Sequence, residues 1–305
     1  MTRRRQWGAV VVVVPALCCL AVATTKVVAW HLVRSFSLKQ SQSRPSDLSV
    51  ACRQTAGWLL RQLGDGGRTI VHPPFVLGGD LGEAVLEEWH GKWIAPAARA
   101  MAAAYFTEPP RQPVTILLFS GEAAYRDQAR RLLGETTISS HGFYRPHLRL
   151  IVTHIGHGPG PLMHELTHAL MAFDFPDAPD WFREGLASLH ERAEIRADGR
   201  DLDGLDNERL PLLQAAIRQR QLPSLGSFLV GEDFLGRRET LNYAYARYLC
   251  LYLQRRGLLG DYYRRFRNGR REDPRGEKTL AIVFPGRSLA ALESNFCRWV
   301  TELQP

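Results

Sequence analysis

Two histidines and a glutamate at a fixed spacing are the residues of this chain that most clearly indicate chemistry. They lie in residues 161–170, PLMHELTHAL, which contain the pattern H-E-x-x-H. Residues four apart lie almost above one another on an α-helix, so His164 and His168 would direct their imidazoles at one point. Glu165 lies about 100° around that helix from His164, within reach of a water at that point. The spacing therefore predicts a metal site with His164 and His168 as ligands and Glu165 as general base.

A third ligand is expected, because a zinc site that performs chemistry usually has three protein ligands and one open position. Residues 180–189, DWFREGLASL, have the pattern of a second amphipathic helix after a proline-containing turn. Such a turn would fold the second helix back across the first one, and Glu184 is its candidate ligand. We therefore predict one Zn²⁺ per chain, bound by His164, His168 and Glu184.

These residues resemble the gluzincin metallopeptidases, in which H-E-x-x-H is followed by a glutamate on the next helix. Residues 181–187, WFREGLA, resemble the W-x-x-E-G-x-A of the aminopeptidase branch of that family. Tyr243 begins the run YAYA, which is similar to the Y-x-x-G of that branch with Ala246 in place of glycine. The resemblance implies that Tyr243 stabilises the oxyanion. Tyr245 is the alternative, because the phase of this helix is not fixed by the sequence.

The resemblance covers about residues 143–253 by motif and is closest to the smaller bacterial proteins described as peptidase MA-like. Aminopeptidases of the branch carry a G-x-M-E-N strand that recognises the free N-terminus of the substrate, and no such run precedes His164. The resemblance therefore implies hydrolysis of peptide bonds in a peptide or protein substrate, without aminopeptidase specificity.

The expected mechanism is metal-assisted hydrolysis. The zinc would lower the pKa of its bound water toward about 7, and Glu165 would take the proton and pass it to the leaving amine. Two other functions stay open. One is a zinc-bound but non-catalytic binding module of the cell envelope, and the other is a hydrolase of a non-protein amide such as cell-wall peptide.

The N-terminal segment predicts transport out of the cytoplasm. Residues 1–5 are basic and residues 7–23 are almost wholly apolar, as in a signal peptide or an uncleaved membrane anchor. The small residues 21–23 fit a cleavage site, whereas the apolar run that resumes at Val27 suits a longer anchor. We therefore expect residues 1–34 to be one or the other, residues 35–47 to be a polar linker, and the protein to be extracytoplasmic, either secreted or bound to the membrane.

The remaining residues predict an α+β fold. A chain of 305 residues with 45% hydrophobic content supports a sizeable core. Strand and helix patterns mix up to residue 175, and helical spacing prevails afterwards. We expect one metallopeptidase domain, residues 48–305, with a zincin-like mixed sheet and active-site helix in an α+β lobe (48–175) and an α-helical C-terminal subdomain (176–305). The strand at 150–153 is either an edge strand that pairs with an extended substrate or an inner strand.

The net charge of +8 and the pI near 9.5 introduce nucleic acid as a rival partner. Much of the excess lies in residues 255–278, where three aromatic residues interleave with arginines, as in a nucleic-acid groove. A solvated helix face beside an acidic envelope surface accounts for the same pattern. The expected extracytoplasmic location argues against nucleic acid.

The remaining cysteines and histidines are expected to have structural or surface roles. Cys250 and Cys297 would join the helix of Tyr243 to the last helix if they formed a disulfide, and the alternative is three buried thiols with Cys52. His190 is expected to face away from the metal. The other histidines near the motif are expected to be ordinary loop or surface residues, namely His141, His147, His154 and His157.

Overall fold

The computed structural model describes residues 47–135 and 138–304. The expected signal peptide or anchor, and all of the expected linker except Asp47, lie outside the described residues. Within the described part of the chain, no helix has both the length and the apolar character needed to cross a membrane. The described residues form an α+β fold with a mixed sheet.

A five-stranded sheet organises the first half of the fold. Its strands are β1 (Arg68–His72), β2 (Phe75–Gly79), β3 (Val114–Phe119), β4 (Gly142–Arg145) and β5 (Leu150–His154). Their order across the sheet is β1-β2-β3-β5-β4. The three inner strands are parallel, and the two outer strands run antiparallel to their neighbours. Both edges of the sheet are therefore short antiparallel strands.

Helices cover both faces of this sheet. Side chains alternate between the two faces along each strand, and both faces carry apolar residues. In β3, Ile116 and Leu118 join one hydrophobic cluster, whereas Leu117 and Phe119 join another. The helices of this half are α1 (Leu48–Leu63), α2 (Glu83–Trp89), α3 (Ala95–Ala104), α4 (Glu122–Leu133) and α5 (Gly160–Asp174), with a π-helical turn at His90–Ile94 between α2 and α3. One cluster packs α1 and α4 on the sheet, and the other packs α3 and α5.

The strand that precedes α5, the helix of His164 and His168, is an inner strand. β5 is hydrogen-bonded to β3 on one side and to β4 on the other, so the expectation that residues 150–153 form an edge is wrong and the inner-strand alternative is correct. The physical reason is that β4 pairs along the outer side of β5 and takes the edge position itself. β4 is therefore the edge strand on this side of the sheet.

The second half of the described chain is mainly helical. Its helices are α6 (Asp180–Glu191), α7 (Leu210–Arg218), α8 (Leu225–Val230), α9 (Glu239–Gln254), α10 (Leu259–Asn268), α11 (Glu277–Val283) and α12 (Leu289–Glu302). A small antiparallel hairpin of β6 (Ala193–Ile195) and β7 (Leu202–Gly204) interrupts the expected run of helices. One hydrophobic cluster contains residues of both halves. The helices of the predicted ligands, α5 and α6, contribute to this shared core.

The aromatic residues of the basic stretch belong to the core. Tyr262, Tyr263 and Phe266 of α10 are fully buried and contact the rings of Phe182 and Phe175. They are therefore inaccessible for stacking on nucleic-acid bases. The aromatic interleaving that suggested a nucleic-acid groove is the buried side of an amphipathic helix.

The three described cysteines are free thiols. Cys52 and Cys250 are buried, and Cys297 is partly buried. Burial raises the pKa of the Cys250 thiol above its usual range, which makes it unreactive. The disulfide alternative for Cys250 and Cys297 is wrong. The other alternative, three buried thiols, is correct for Cys52 and Cys250, whereas Cys297 is only partly buried.

Candidate metal centre

Two crossing helices hold the candidate ligands. Along α5, Leu162, Leu166 and Ala169 are buried in the core. Burial of this side of the helix determines where the opposite side, with His164 and His168, points. Along α6, Phe182 and Leu186 are buried in the same way. The turn between the helices lets α6 pack directly on α5. With those apolar residues buried, His164, His168 and Glu184 line one cleft.

The three predicted ligands converge on one point. His164 Nε2 lies 3.1 Å from His168 Nε2. Glu184 Oε2 lies 3.4 Å from His164 Nε2 and 3.4 Å from His168 Nε2. Of the His, Cys, Asp and Glu side chains in the described ranges, these three make one of two groups whose ligand atoms lie within 4.8 Å of one another. The sequence spacing and the turn therefore produce a compact donor triangle.

This triangle fits a tetrahedral zinc ion. Ligands at 2.0–2.2 Å from zinc in tetrahedral geometry are separated by roughly 3.3 to 3.6 Å from one another, and the three measured separations are 3.1, 3.4 and 3.4 Å. Two imidazoles and one carboxylate are also a donor set that zinc accepts with one position left open. The residues present therefore fit the metal predicted from the sequence.

The electrostatics of the site favour a cation at that point. Burial acts to lower the pKa of His164, but the carboxylates of Glu184 and Glu191 outweigh it and raise the pKa to about 10. Burial acts to raise the pKa of Glu184, but the two imidazoles outweigh it and hold that pKa well below its usual range. A positive charge shared among these groups is thus stabilised, and a divalent cation supplies such a charge.

Glu165 lies in the same cleft as the ligands without a hydrogen-bond or ion-pair partner among the described residues. It lines the same cleft as His164 and Glu184, and it forms no hydrogen bond or ion pair with any residue in the described ranges. Burial raises the pKa of Glu165, although the charges of His164 and His168 oppose the shift. A carboxylate with a raised pKa is a stronger base and is suited to accept and return a proton.

Tyr243 reaches the ligands from α9. Its hydroxyl donates a hydrogen bond to Glu184 Oε2 at 3.0 Å, and its ring packs edge-on against Phe234. Burial, followed by the charge of Glu184 and this hydrogen bond, raises its pKa, so the phenol stays protonated as a donor. Tyr245 lies on another face of α9, fully buried and stacked on Phe228 and Phe296. The structure thus brings Tyr243 to the site and keeps Tyr245 away from it.

Glu191 and Arg209 belong to the site and were missed by the sequence reasoning. Glu191 Oε2 lies 3.8 Å from His164 Nδ1, and Arg209 Nη1 lies 3.1 Å from the same carboxylate oxygen. Burial acts to raise the pKa of Glu191, but His164 and Arg209 lower it to about 2. A signal for Glu191 was present, because residues seven apart share a helix face and Glu191 follows Glu184 at that spacing. Arg209 comes from beyond the β6–β7 hairpin and carries no such signal.

The cleft around the ligands has a volume of about 1020 Å³. β4 forms part of one wall through Gly142, Phe143 and Arg145, and the beginning of α9 contributes Glu239 to the lining. A cleft of this size accommodates several residues of an extended chain. The edge strand β4 therefore borders the same cleft as the candidate ligands.

The other histidines near the motif differ in their surroundings. His154 is buried rather than exposed, with Nε2 3.0 Å from the carbonyl oxygen of Ser140 and Nδ1 accepting the Gly156 N–H. His141 lines the cleft, and His147 is exposed. His157 packs against both His141 and His154.

His190 does not contribute to the candidate ligand set, as expected. It is fully buried on α6, and its Nδ1 lies 2.9 Å from the hydroxyl of Thr167. Because that hydroxyl donates to the carbonyl oxygen of Met163, it accepts a hydrogen bond from His190. This contact fixes one neutral tautomer of the imidazole.

A comparison with protein-family models found no match to the chain, and a comparison with curated proteins found none either.

Proposed function

We propose that this protein is a zinc-dependent hydrolase of peptide bonds, of the gluzincin type and with a zincin-like arrangement of sheet and helices. The observation that carries the proposal is the donor triangle of His164, His168 and Glu184, whose sides of 3.1, 3.4 and 3.4 Å match tetrahedral zinc. Glu165 lines the same cleft and is not one of the three ligands. A purely structural zinc site normally has four protein ligands and no adjacent free base.

The side chains of the site would divide the work of hydrolysis among them. A zinc ion bound by the three ligands supplies Lewis-acid polarisation and a more acidic water. Glu165 accepts the proton of the attacking water and donates it to the leaving amine, for which its raised pKa is suited. The Tyr243 hydroxyl, which donates to Glu184 Oε2 in the structure, would turn to donate its hydrogen bond to the oxyanion of the tetrahedral intermediate.

The substrate in this proposal is an extended peptide or protein segment. β4 is an edge strand that lines the cleft, and an edge strand offers unpaired backbone groups to an extended chain. The apolar N-terminal segment supports an extracytoplasmic location, with attachment to the membrane if that segment is uncleaved. Peptide or protein outside the cytoplasm is therefore the proposed substrate class.

The first test measures zinc and cleavage in the same preparations. The full chain, the Glu184→Ala variant and the Glu165→Gln variant are purified, and zinc is quantified by elemental analysis. Each protein is then incubated with a library of unstructured peptides, and new termini are identified by mass spectrometry. We expect Glu184→Ala to lose the zinc of this site and all cleavage, and Glu165→Gln to keep that zinc and lose cleavage.

Two results would contradict the proposal in different ways. If Glu184→Ala and the parent bind equal amounts of zinc, the three residues are not the zinc ligands. If the parent binds zinc here but cleaves neither the peptide library nor cell-wall peptides, the site is a binding module without turnover. Cleavage of cell-wall peptides alone would assign the same residues to a non-protein amide.

A further inference from the structure

A second cluster of donor side chains lies at the end of the β1–β2 hairpin. His72 is the last residue of β1, Glu87 lies on α2, and His90 begins the π-helical turn. The ligand atoms of the three residues lie within 4.8 Å of one another, and His72 Nε2 lies 2.7 Å from Glu87 Oε2. None of these residues lines the cleft of the candidate metal centre.

Packing holds the two imidazoles together. The rings of His72 and His90 are stacked with centroids 4.1 Å apart and an interplanar angle of 10°. The His90 ring also contacts the ring of Phe75, which is buried and pairs with His72 across the hairpin. His90 further lies at the start of a π-helical turn, a rare irregularity that recurs at functional sites.

The donor set is selective for one class of ion. Two imidazole nitrogens and one carboxylate oxygen suit zinc, copper, nickel or cobalt, whereas magnesium and calcium prefer oxygen ligands. The ligand atoms lie between 2.7 Å and at most 4.8 Å apart, and around a zinc ion they would shift to roughly 3.3–3.6 Å from one another. The His72 ring would also tilt out of its stack on His90, because two parallel imidazoles cannot both direct a ring nitrogen at one ion. The side chains of His72 and Glu87 are 41% and 50% exposed, so they can rotate by this amount without disturbing the core.

We propose that His72, Glu87 and His90 form a second site for a divalent transition-metal ion. The ion would join the tip of the β1–β2 hairpin to the junction of α2 and the π-helical turn. An apolar groove of about 460 Å³ borders both histidines, and the side chains of His72 and Glu87 are partly exposed, so solvent can reach the proposed site. Because the site exists only in the folded chain, the metal would stabilise the native state by mass action.

The test counts zinc ions in variants of the full chain that carry no histidine tag. Each protein is stripped with a chelator, equilibrated with micromolar free Zn²⁺ and measured by elemental analysis and calorimetric titration. We expect two zinc ions in the parent, one in Glu184→Ala, one in the His72→Ala and His90→Ala double variant, and none in the combination of all three changes. Glu87→Gln removes the ligand charge and keeps the shape, so it should weaken zinc binding in the Glu184→Ala background.

His147→Ala is the matched control, because His147 is an exposed histidine outside both clusters. It should change the zinc count in neither background. The proposal is overturned if Glu184→Ala binds no zinc, or if His147→Ala removes as much zinc as the double variant does. If Glu184→Ala binds the same zinc as the parent and only the double variant loses it, this second site stands and the proposed hydrolytic site fails.

Discussion

A β-carbon at position 185 would lie 2.8 Å from the carbonyl oxygen of Ala246, so Gly185 is what lets α6 and α9 meet backbone to backbone. The atom in the way belongs to the main chain and cannot move aside as a flexible side chain would. This contact sets the distance between the two helices next to the site. Tyr243 lies one turn before Ala246, and Glu184 directly precedes Gly185. The hydrogen bond of 3.0 Å between the Tyr243 hydroxyl and Glu184 follows from this close approach.

Replacing Gly185 with alanine should therefore destabilise the protein and separate the two helices. Overpacking of a close contact typically costs about 1–3 kcal/mol, and we expect the free energy of unfolding in urea to fall by that amount. The matched control is Gly57→Ala in α1, where the added β-carbon would meet only the Arg61 guanidinium, at 3.8 Å. This change should raise the free energy of unfolding by up to about 1 kcal/mol, because alanine is the better helix former. Equal effects at the two positions would refute the close-packing explanation.

The two tyrosines of the YAYA run should respond differently to removal of their hydroxyl groups. Tyr243→Phe removes the proposed donor to the oxyanion, and we expect kcat on a cleaved peptide to fall by about 10²–10³-fold. Tyr245→Phe should leave kcat unchanged and leave stability equal or slightly higher, because its buried hydroxyl has no hydrogen-bond partner among the described residues. An equal loss of kcat in both variants would argue against a specific role for Tyr243.

The local parts of the site could be predicted from the sequence. His164, Glu165 and His168 lie on one helix, so their relative positions depend only on helical spacing. Glu184 required one further inference, that the turn at 175–179 folds α6 across α5. The structure brings these side chains together because both helices have one strongly apolar face, and apolar periodicity is readable in a sequence.

The non-local parts could not be predicted, because they depend on which elements pair. β4 and not β5 takes the sheet edge, since a short strand with few apolar residues pairs on the outside of a buried one. Arg209 reaches Glu191 only because the β6–β7 hairpin returns the chain to the end of α6. His72 and His90 stack across a hairpin and a helix junction, a contact that no sequence spacing encodes.

Glu191 should act as a positioning residue for His164. A carboxylate near the second nitrogen of a ligating histidine orients the ring and raises its basicity, and its loss typically costs 10–100-fold in metal affinity. We expect Glu191→Gln to weaken zinc binding at the site of His164, His168 and Glu184 by about that factor in a competition titration with a chromophoric chelator. The variant should keep its kcat at saturating zinc. Glu194→Gln, at an exposed position on β6, is the control, and an equal loss of affinity there would exclude a specific role for Glu191.

His190 should make the stability of the protein depend on pH. Burial lowers its pKa from 6.5 to about 3, and the positive charges of Arg247 and His164 add to this shift. Tyr105 packs against the same ring without a charge. The unfolded chain therefore binds a proton at this residue before the folded chain does. The stability it contributes is fully present above pH 6.5 and is lost as the pH falls toward 3.

The measurement compares the parent with His190→Asn, because an asparagine amide can still donate a hydrogen bond to the Thr167 hydroxyl and does not titrate. Both proteins are kept free of metal with a chelator, so that metal release does not contribute to the pH dependence. Between pH 6.5 and 5 we expect the free energy of unfolding of the parent to fall by up to about 1.4 kcal/mol per pH unit more than that of the variant. Above pH 7 the two curves should run parallel. Parallel curves over the whole range would show that His190 is not the residue that titrates.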